Sequence, residues 1–456
     1  MTPSPDDPLA AFVLGRLAIP ESARQMAATL IIDTLAVAAG AAPMAAGRLA
    51  AAHAGMFFAP SAPAAAAPIL FDGRTASIPG AAFAAATSID NLDAHDGLNA
   101  TKGHIGCAVV PALFAFAASQ PGLTARAALD ATVIAYEIAA RAGLTLHDTV
   151  TDYHTSGAWN GLGVVALGAH LRGLSADALR HALGIAEYHG PRSQMMREIA
   201  NPTMLHDGSG MGALAGTMAV LLAERGFTGA PAVTTGSDGH WADLGQRWTI
   251  EENYIKPYPI CRWAHAALDA LSALQRIHGF TAPDVARIEI NTFAQAARLF
   301  PGMPRTTSEA QYSLRFAVAT LLLKGQLGPA EISGDALSDP ATAALLSRID
   351  VHETAHYSAL FPTERRSDVT VELADGRRLA SGDTHARGGP EAPLSLAENE
   401  AKLHTIAGVL PAARRHALWA WRARLLAPGA RLADLAALVT PAVDTDITEP
   451  AEAPVA

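Results

Sequence analysis

From residue 7 to residue 255 apolar, Ala- and Leu-rich stretches follow one another, and the region reads as almost entirely helical. The stretches 24–39, 106–118, 126–142, 158–172, 176–188 and 210–225 are rich in Ala and Leu, with Gly or Pro between them. Within 126–142, Leu129, Val133, Tyr136 and Ala140 fall on one helical face. Ser175 stands where an N-cap is needed before ADALRHALG. After Lys256 the period changes. DVARIEINTF over 284–293 and DVTVEL over 368–373 alternate apolar and polar side chains, as half-buried strands do. The second runs into Ala374-Asp375-Gly376-Arg377, whose Asp-Gly pair suits a hairpin turn. Helical pattern fills 308–324 and 340–349, and returns at 396–409, 411–425 and 431–439.

These patterns predict a mainly α protein: a large all-helical domain built from both chain ends, and a smaller α+β domain. The expected boundaries are 1–255 for the helical part, 256–390 for the α+β part and 391–440 for helices returning to the first domain. The closing segment 441–456 is acidic, rich in Pro and Ala, and expected to be a frayed tail.

Composition sharpens this picture. Half of the 456 residues are hydrophobic and 17% are charged, enough for a large core and unlike a disordered chain. The formal charge is −10 and no long basic run occurs, which argues against a nucleic-acid partner. A few Lys, Arg and His residues converging in one pocket can still bind an anion. The two cysteines, Cys107 and Cys261, make neither a disulfide framework nor a zinc site and fit a reducing, cytoplasmic setting. No basic n-region opens the chain, so no secretory signal is expected. Residues 105–125 carry no charge and are long enough to span a membrane. Gly106, Pro111 and the many alanines favour a buried helix instead, and no membrane association is expected.

Four segments carry chemistry. Asn91–His104 holds Asp93, His95, Asp96, Thr101, Lys102 and His104 just before a long apolar helix. Such a loop can place acids and bases in a dry pocket where their pKa values shift; its alternative is a solvated cap. In Asp152-Tyr153-His154-Thr155-Ser156-Gly157, His154 is either an acid or carboxylate ligand, or a packed or capping residue. Asn201–Gly210, with His206 and Ser209, opens a helix whose N–H groups suit an anion; an ordinary Gly-rich turn is the alternative. Tyr254–His265 places Lys256 and Arg262 at the change of character, as an inter-domain ligand site or a plain linker. No HExxH, CxxC or EF-hand spacing, no G-x-S-x-G elbow and no G-x-G-x-x-G turn is present. A metal, a serine nucleophile and a nicotinamide cofactor therefore lack support.

Short motifs in a fixed order resemble the MmgE/PrpD family over nearly the whole chain. They are Asp33–Gly40, His104 with Val109-Val110-Pro111-Ala112, Tyr136-Glu137, Tyr153-His154-Thr155, Leu205–Gly210, Lys256-Pro257-Tyr258-Pro259, Gln311–Leu314 and Pro393-Leu394-Ser395. The resemblance implies a two-domain homodimer with its site between the domains and no required metal or organic cofactor. It implies pocket roles for His104 and His154, and for Lys256 at the domain junction. Tyr136 matches a tyrosine considered catalytic in the epimerase branch, while its helical stripe gives a competing core reading. Asp93 is carried as a further base candidate, and Asp96, Lys102, Thr101, His206, Ser209 and Arg262 as substrate-binding candidates.

The departures bear on the reaction. The first loop reads Asp93-Ala-His95-Asp96-Gly97 where dehydratases and decarboxylases of the family show an Asp-Asp pair, and Ile105 replaces the proline after His104. Thr203, Phe316 and Cys261 fall where decarboxylases carry Lys, Tyr and His, which speaks against cis-aconitate decarboxylation. The expected chemistry is removal of a proton α to a carboxylate of a small polycarboxylic acid. A 2-methylcitrate dehydratase-like lyase is the first reading. An iminodisuccinate epimerase-like isomerase and a catalytically silent polyacid-binding protein are the alternatives.

Overall fold

The computed structural model describes residues 7–443, and the fold is mainly helical. The tail expected at 441–456 therefore lies largely outside the described residues. Ala125–Thr149, Gly157–Arg172, Ser209–Ala223, Ile78–Leu92 and Gly106–Ala117 pack on one another as the centre of the helical part. Glu21–Ala41 lies against this group and is almost entirely buried. The helices Leu396–Ile406 and Ala412–Leu426 pack on Glu21–Ala41, so the chain's late helices contact its early ones. Gly40 makes the approach possible: a Cβ there would collide with the Ile406 carbonyl.

Small residues set the inner spacing. A Cβ on Gly216 would lie 2.5 Å from the Gly161 carbonyl oxygen and 2.7 Å from Val164 Cβ. At an ordinary helix position Gly→Ala gains up to about 1 kcal/mol. Here overpacking of two helix backbones dominates, and Gly216→Ala should lower the unfolding free energy by about 1–3 kcal/mol. Urea titration reads the sign, and a stabilised variant would show that the helices part without cost.

The stretch 105–125 yields the buried twelve-residue helix Gly106–Ala117. No single described helix is long and apolar enough to cross a membrane; Glu21–Ala41 and Ala45–Phe57 pass that test only jointly, as a pair bent by 92°.

In the second part, Val285–Thr292 pairs in parallel with Ile349–Glu353 and antiparallel with Arg366–Leu373, which continues to Arg378–Ala380. Ile288, Ile290, Val369 and Val371 fill the buried face, over the helix His265–His278. The Asp375-Gly376 turn closes as its residues require, with Gly376 at φ 89° and Leu373 N–H donating to Arg377 O at 2.9 Å.

Three local expectations need correction. The stretch 224–252 is mostly irregular with two short 3-10 turns, because its Gly, Pro, Ser and Thr residues offer no apolar face. The helix expected at 308–324 is two, Thr307–Gln311 and Leu314–Lys324, since Ser313 caps the second by accepting from Phe316 N–H. The helix at 340–349 ends at Leu346, and Ile349–Glu353 is a strand.

Candidate active site

The helix Ile78–Leu92 stops at Asp93, which adopts a left-handed conformation (φ 54°). Asp93 at its end, the loop to Ile105, Tyr153 before Gly157–Arg172 and Asp207 before Ser209–Ala223 converge with Tyr254 of the strand Asn253–Tyr254. That strand pairs with Gly97–Leu98 and leads into Lys256. A narrow cleft lies there with a cavity volume of about 30 Å³, well below that of a typical ligand pocket. Four non-glycine described residues have positive φ, and three of them (Asp93, Lys102 and His206) belong to this region. Side-chain-bearing residues held in that region mark places where the surroundings over-determine the backbone, and these cluster at functional sites.

One wall is cationic. Lys256 is 1% exposed and pairs with the Asp93 carboxylate, while its Nζ also donates to Asp93 O at 2.9 Å. Arg262 stacks on the Tyr254 ring, with Cζ 4.4 Å from the centroid, and donates to Ala386 O at 3.0 Å. Burial lowers Arg262 to about 10, which leaves it charged at neutral pH. Arg365 is 2% exposed, donates to Pro362 O and brings a further guanidinium from the α+β part. Lys102 lies over the Tyr153 ring at 5.1 Å and is shifted down by burial and then by Arg365. Cations that have shed their water need anionic partners. Asp93 satisfies Lys256, and carbonyls bind the two guanidinium groups without neutralising them.

His104 lines the same cleft. Its Nδ1 lies 2.7 Å from Asp96 O, a carbonyl that can only accept, so Nδ1 bears the proton and Nε2 the lone pair. Nε2 is 3.6 Å from Asp207 Oδ2. Burial, and then the nearby Lys256, push His104 down to about 4, so the imidazole is neutral near pH 7. The backbone N–H of His104 donates to Ser156 Oγ at 2.9 Å, and that hydroxyl donates to Asp207 at 2.6 Å. Burial raises Asp207, and raises Asp90 further because Asp207 adds its own charge. Asp90 accepts from both the N–H and the hydroxyl of Ser209, at 3.0 and 3.2 Å. Burial also holds the Tyr254 and Tyr312 phenols protonated.

Of the candidates from sequence, Asp93, Lys102, His104, Lys256 and Arg262 line the cleft. The others do not. Asp96 and Tyr136 lie behind it, with the tyrosine hydroxyl donating to Asp96 Oδ2 at 3.2 Å. Burial and then Asp33 raise Asp96 to about 7. Gly106 leaves room for this pair, because a Cβ would collide with both. Thr101 is spent on Leu98 O, and Ser209 on Asp90. His206 is buried beside Tyr312 and shifted to about 4 by burial. His154 is half-buried and outside the lining, held to Asp152 O at 3.0 Å; its neighbour Tyr153 faces the cleft.

Among the described residues, two buried groups have metal-like spacing: Asp90, His95 and Cys107, and Asp93, His95 and His104. In the second, the Lys256 ammonium already occupies the Asp93 carboxylate and repels another cation. In the first, the Cys107 thiol is held protonated by burial and then by Asp90, and donates to Ser209 Oγ at 3.2 Å. A thiolate ligand there would have to form against that environment.

The MmgE/PrpD N-terminal domain profile matches residues 9–252, and the MmgE/PrpD C-terminal domain profile matches residues 258–424. No curated protein matches the chain.

Proposed function

Because the chain belongs to the MmgE/PrpD family, whose members are generally hydro-lyases and isomerases, we propose that it removes a proton α to a carboxylate of a small polycarboxylic acid. The observation that carries this reading is one cleft holding four cations and a neutral imidazole with its Nε2 lone pair inward. Lys256, Arg262, Arg365 and Lys102 bind the substrate carboxylates. His104 Nε2 takes the α-proton. The negative charge that develops on the adjacent carboxylate is stabilised by Lys256, preorganised in a dry site. A bound polyanion also raises the His104 pKa, which favours the proton transfer.

Hydro-lyase chemistry of the 2-methylcitrate dehydratase type is the first reading. Loss of a β-hydroxyl needs an acid, and Tyr153, Tyr254 and Tyr312 are phenols held protonated in the cleft, whereas His154 is not there. Epimerisation of the iminodisuccinate type is the second reading. It is favoured by the loop: Asp93-Ala-His95-Asp96-Gly97 does not reproduce the Asp-Asp pair of the dehydratases, and Asp96 is turned away against Tyr136. Hydroxy- and amino-polycarboxylates incubated in deuterated water and followed by NMR separate the readings. An alkene product identifies the lyase. Deuterium in recovered substrate without alkene identifies the isomerase. Stabilisation by polyacids with neither outcome leaves a silent binding protein and sinks the proposal.

A further inference from the structure

We propose that Lys402, which lies outside the cleft, is a positioning residue that holds the Asp93–Asp96 loop and through it His104. The loop is gripped by its carbonyls. Asp93 O accepts from Lys256 Nζ at 2.9 Å, Ala94 O from Lys402 Nζ at 2.7 Å, and Asp96 O from His104 Nδ1 at 2.7 Å. Lys256 and His104 line the cleft; Lys402 acts only on the backbone behind it. Lys402 is 6% exposed, and its ammonium pairs with Asp33 at 2.6 and 2.8 Å. Asp33 and Lys402 come from Glu21–Ala41 and Leu396–Ile406, so two rigid helices from opposite ends of the chain set where Ala94 O lies.

The grip matters because the loop is short and the Asp96 carbonyl determines which nitrogen of His104 carries the proton. A displaced Asp96 O releases Nδ1–H and removes the bias that keeps the lone pair on Nε2. Lys402 also favours ionised Asp96, while Asp33 opposes it. A buried lysine paired with one carboxylate contributes little to stability when compared with an apolar pair, so its place is better explained by positioning.

The consequence for turnover rests on His104 being the base; the consequence for the loop does not. Asp33→Leu/Lys402→Met removes both charges together and leaves no unpaired buried ion. Asp33→Asn/Lys402→Gln is also neutral, but keeps an N–H for the Ala94 carbonyl. Nitrogen-15 NMR of the His104 ring, assigned by difference from His104→Gln, reads the tautomer without substrate. Amide hydrogen exchange reads residues 93–104. The apolar pair should lose the single Nδ1–H tautomer and exchange at least tenfold faster in the loop. Its kcat should fall at least tenfold with KM within about threefold. The amide pair should hold the tautomer and recover most of kcat. If the apolar pair fails to fold, loss of the tautomer in the amide pair, despite its retained donor, overturns the proposal. So does equal behaviour of the two folded variants, or an unchanged His104 in the apolar pair. If the tautomer shifts as expected while wild type turns over no polyacid, the positioning role stands and the proposed function fails.

Discussion

His104→Gln should slow α-proton removal by about 10²–10⁴-fold, the usual contribution of a general base, with KM within about threefold. Gln retains an amide near the Asp96 carbonyl, so the loop keeps a donor, but it has no basic nitrogen. The wild-type pH profile supports the same assignment. His104 must be neutral to act, and burial with Lys256 lowers it to about 4. kcat/KM should therefore hold on acidification and fall as pH drops through about 4, and that limb should vanish in the variant. Stability carries a matching signature. The folded ring resists a proton until about 4, while the unfolded ring accepts one near 6.5. His104 thus contributes a loss of stability as pH falls from about 6.5 to 4, and His104→Gln should flatten the curve there. An acid limb that survives in the variant would reassign the base.

Lys256→Met should abolish measurable turnover and lower the unfolding free energy by about 3–5 kcal/mol, as breaking a buried pair from one side does. The loss comes from Asp93, 4% exposed, which is left without its countercharge. Asp93 is already raised by burial against the pull of Lys256. Without the lysine it rises further, and the variant should regain stability as the pH is lowered and the carboxyl takes a proton. Adding Asp93→Asn should recover most of the loss in urea melts without recovering activity. A double variant no more stable than Lys256→Met would show that the pair does not set the local energetics.

Much of this was legible in the residues, and the exceptions have physical causes. Helices such as 126–142 and 158–172 announce themselves as long Ala- and Leu-rich runs, most of whose positions are buried all round. Lys256 and His104 stood out because charge is rare beside apolar stretches. Arg365 escaped because a cation before a strand reads as surface until tertiary packing buries it. Asp90 and Asp207 escaped because each lies far in sequence from the partner that matters, Ser209 for the first and Ser156 for the second. The Asp207-Gly-Ser209 and Ser156-Gly157 sequences, both opening helices, were the available signal. His154 and Tyr153 differ by one position: the residues mark the segment, but the side chain that enters the cleft depends on a backbone turn that sequence spacing does not specify.

The contact between the late helices and Glu21–Ala41 also has a temporal meaning. During synthesis the early helix emerges first, yet the surface covered by Leu403, Ile406, Leu418 and Trp421 receives its cover only when residues 396–426 have left the ribosome. For most of translation the nascent chain carries an open apolar seam and an Asp33 without its lysine. Until then the Ala94 carbonyl also lacks the lysine that donates to it. A chain interrupted before Lys402 releases a helical body whose acidic and apolar seam is unfinished, which is the kind of surface that chaperones and proteases engage.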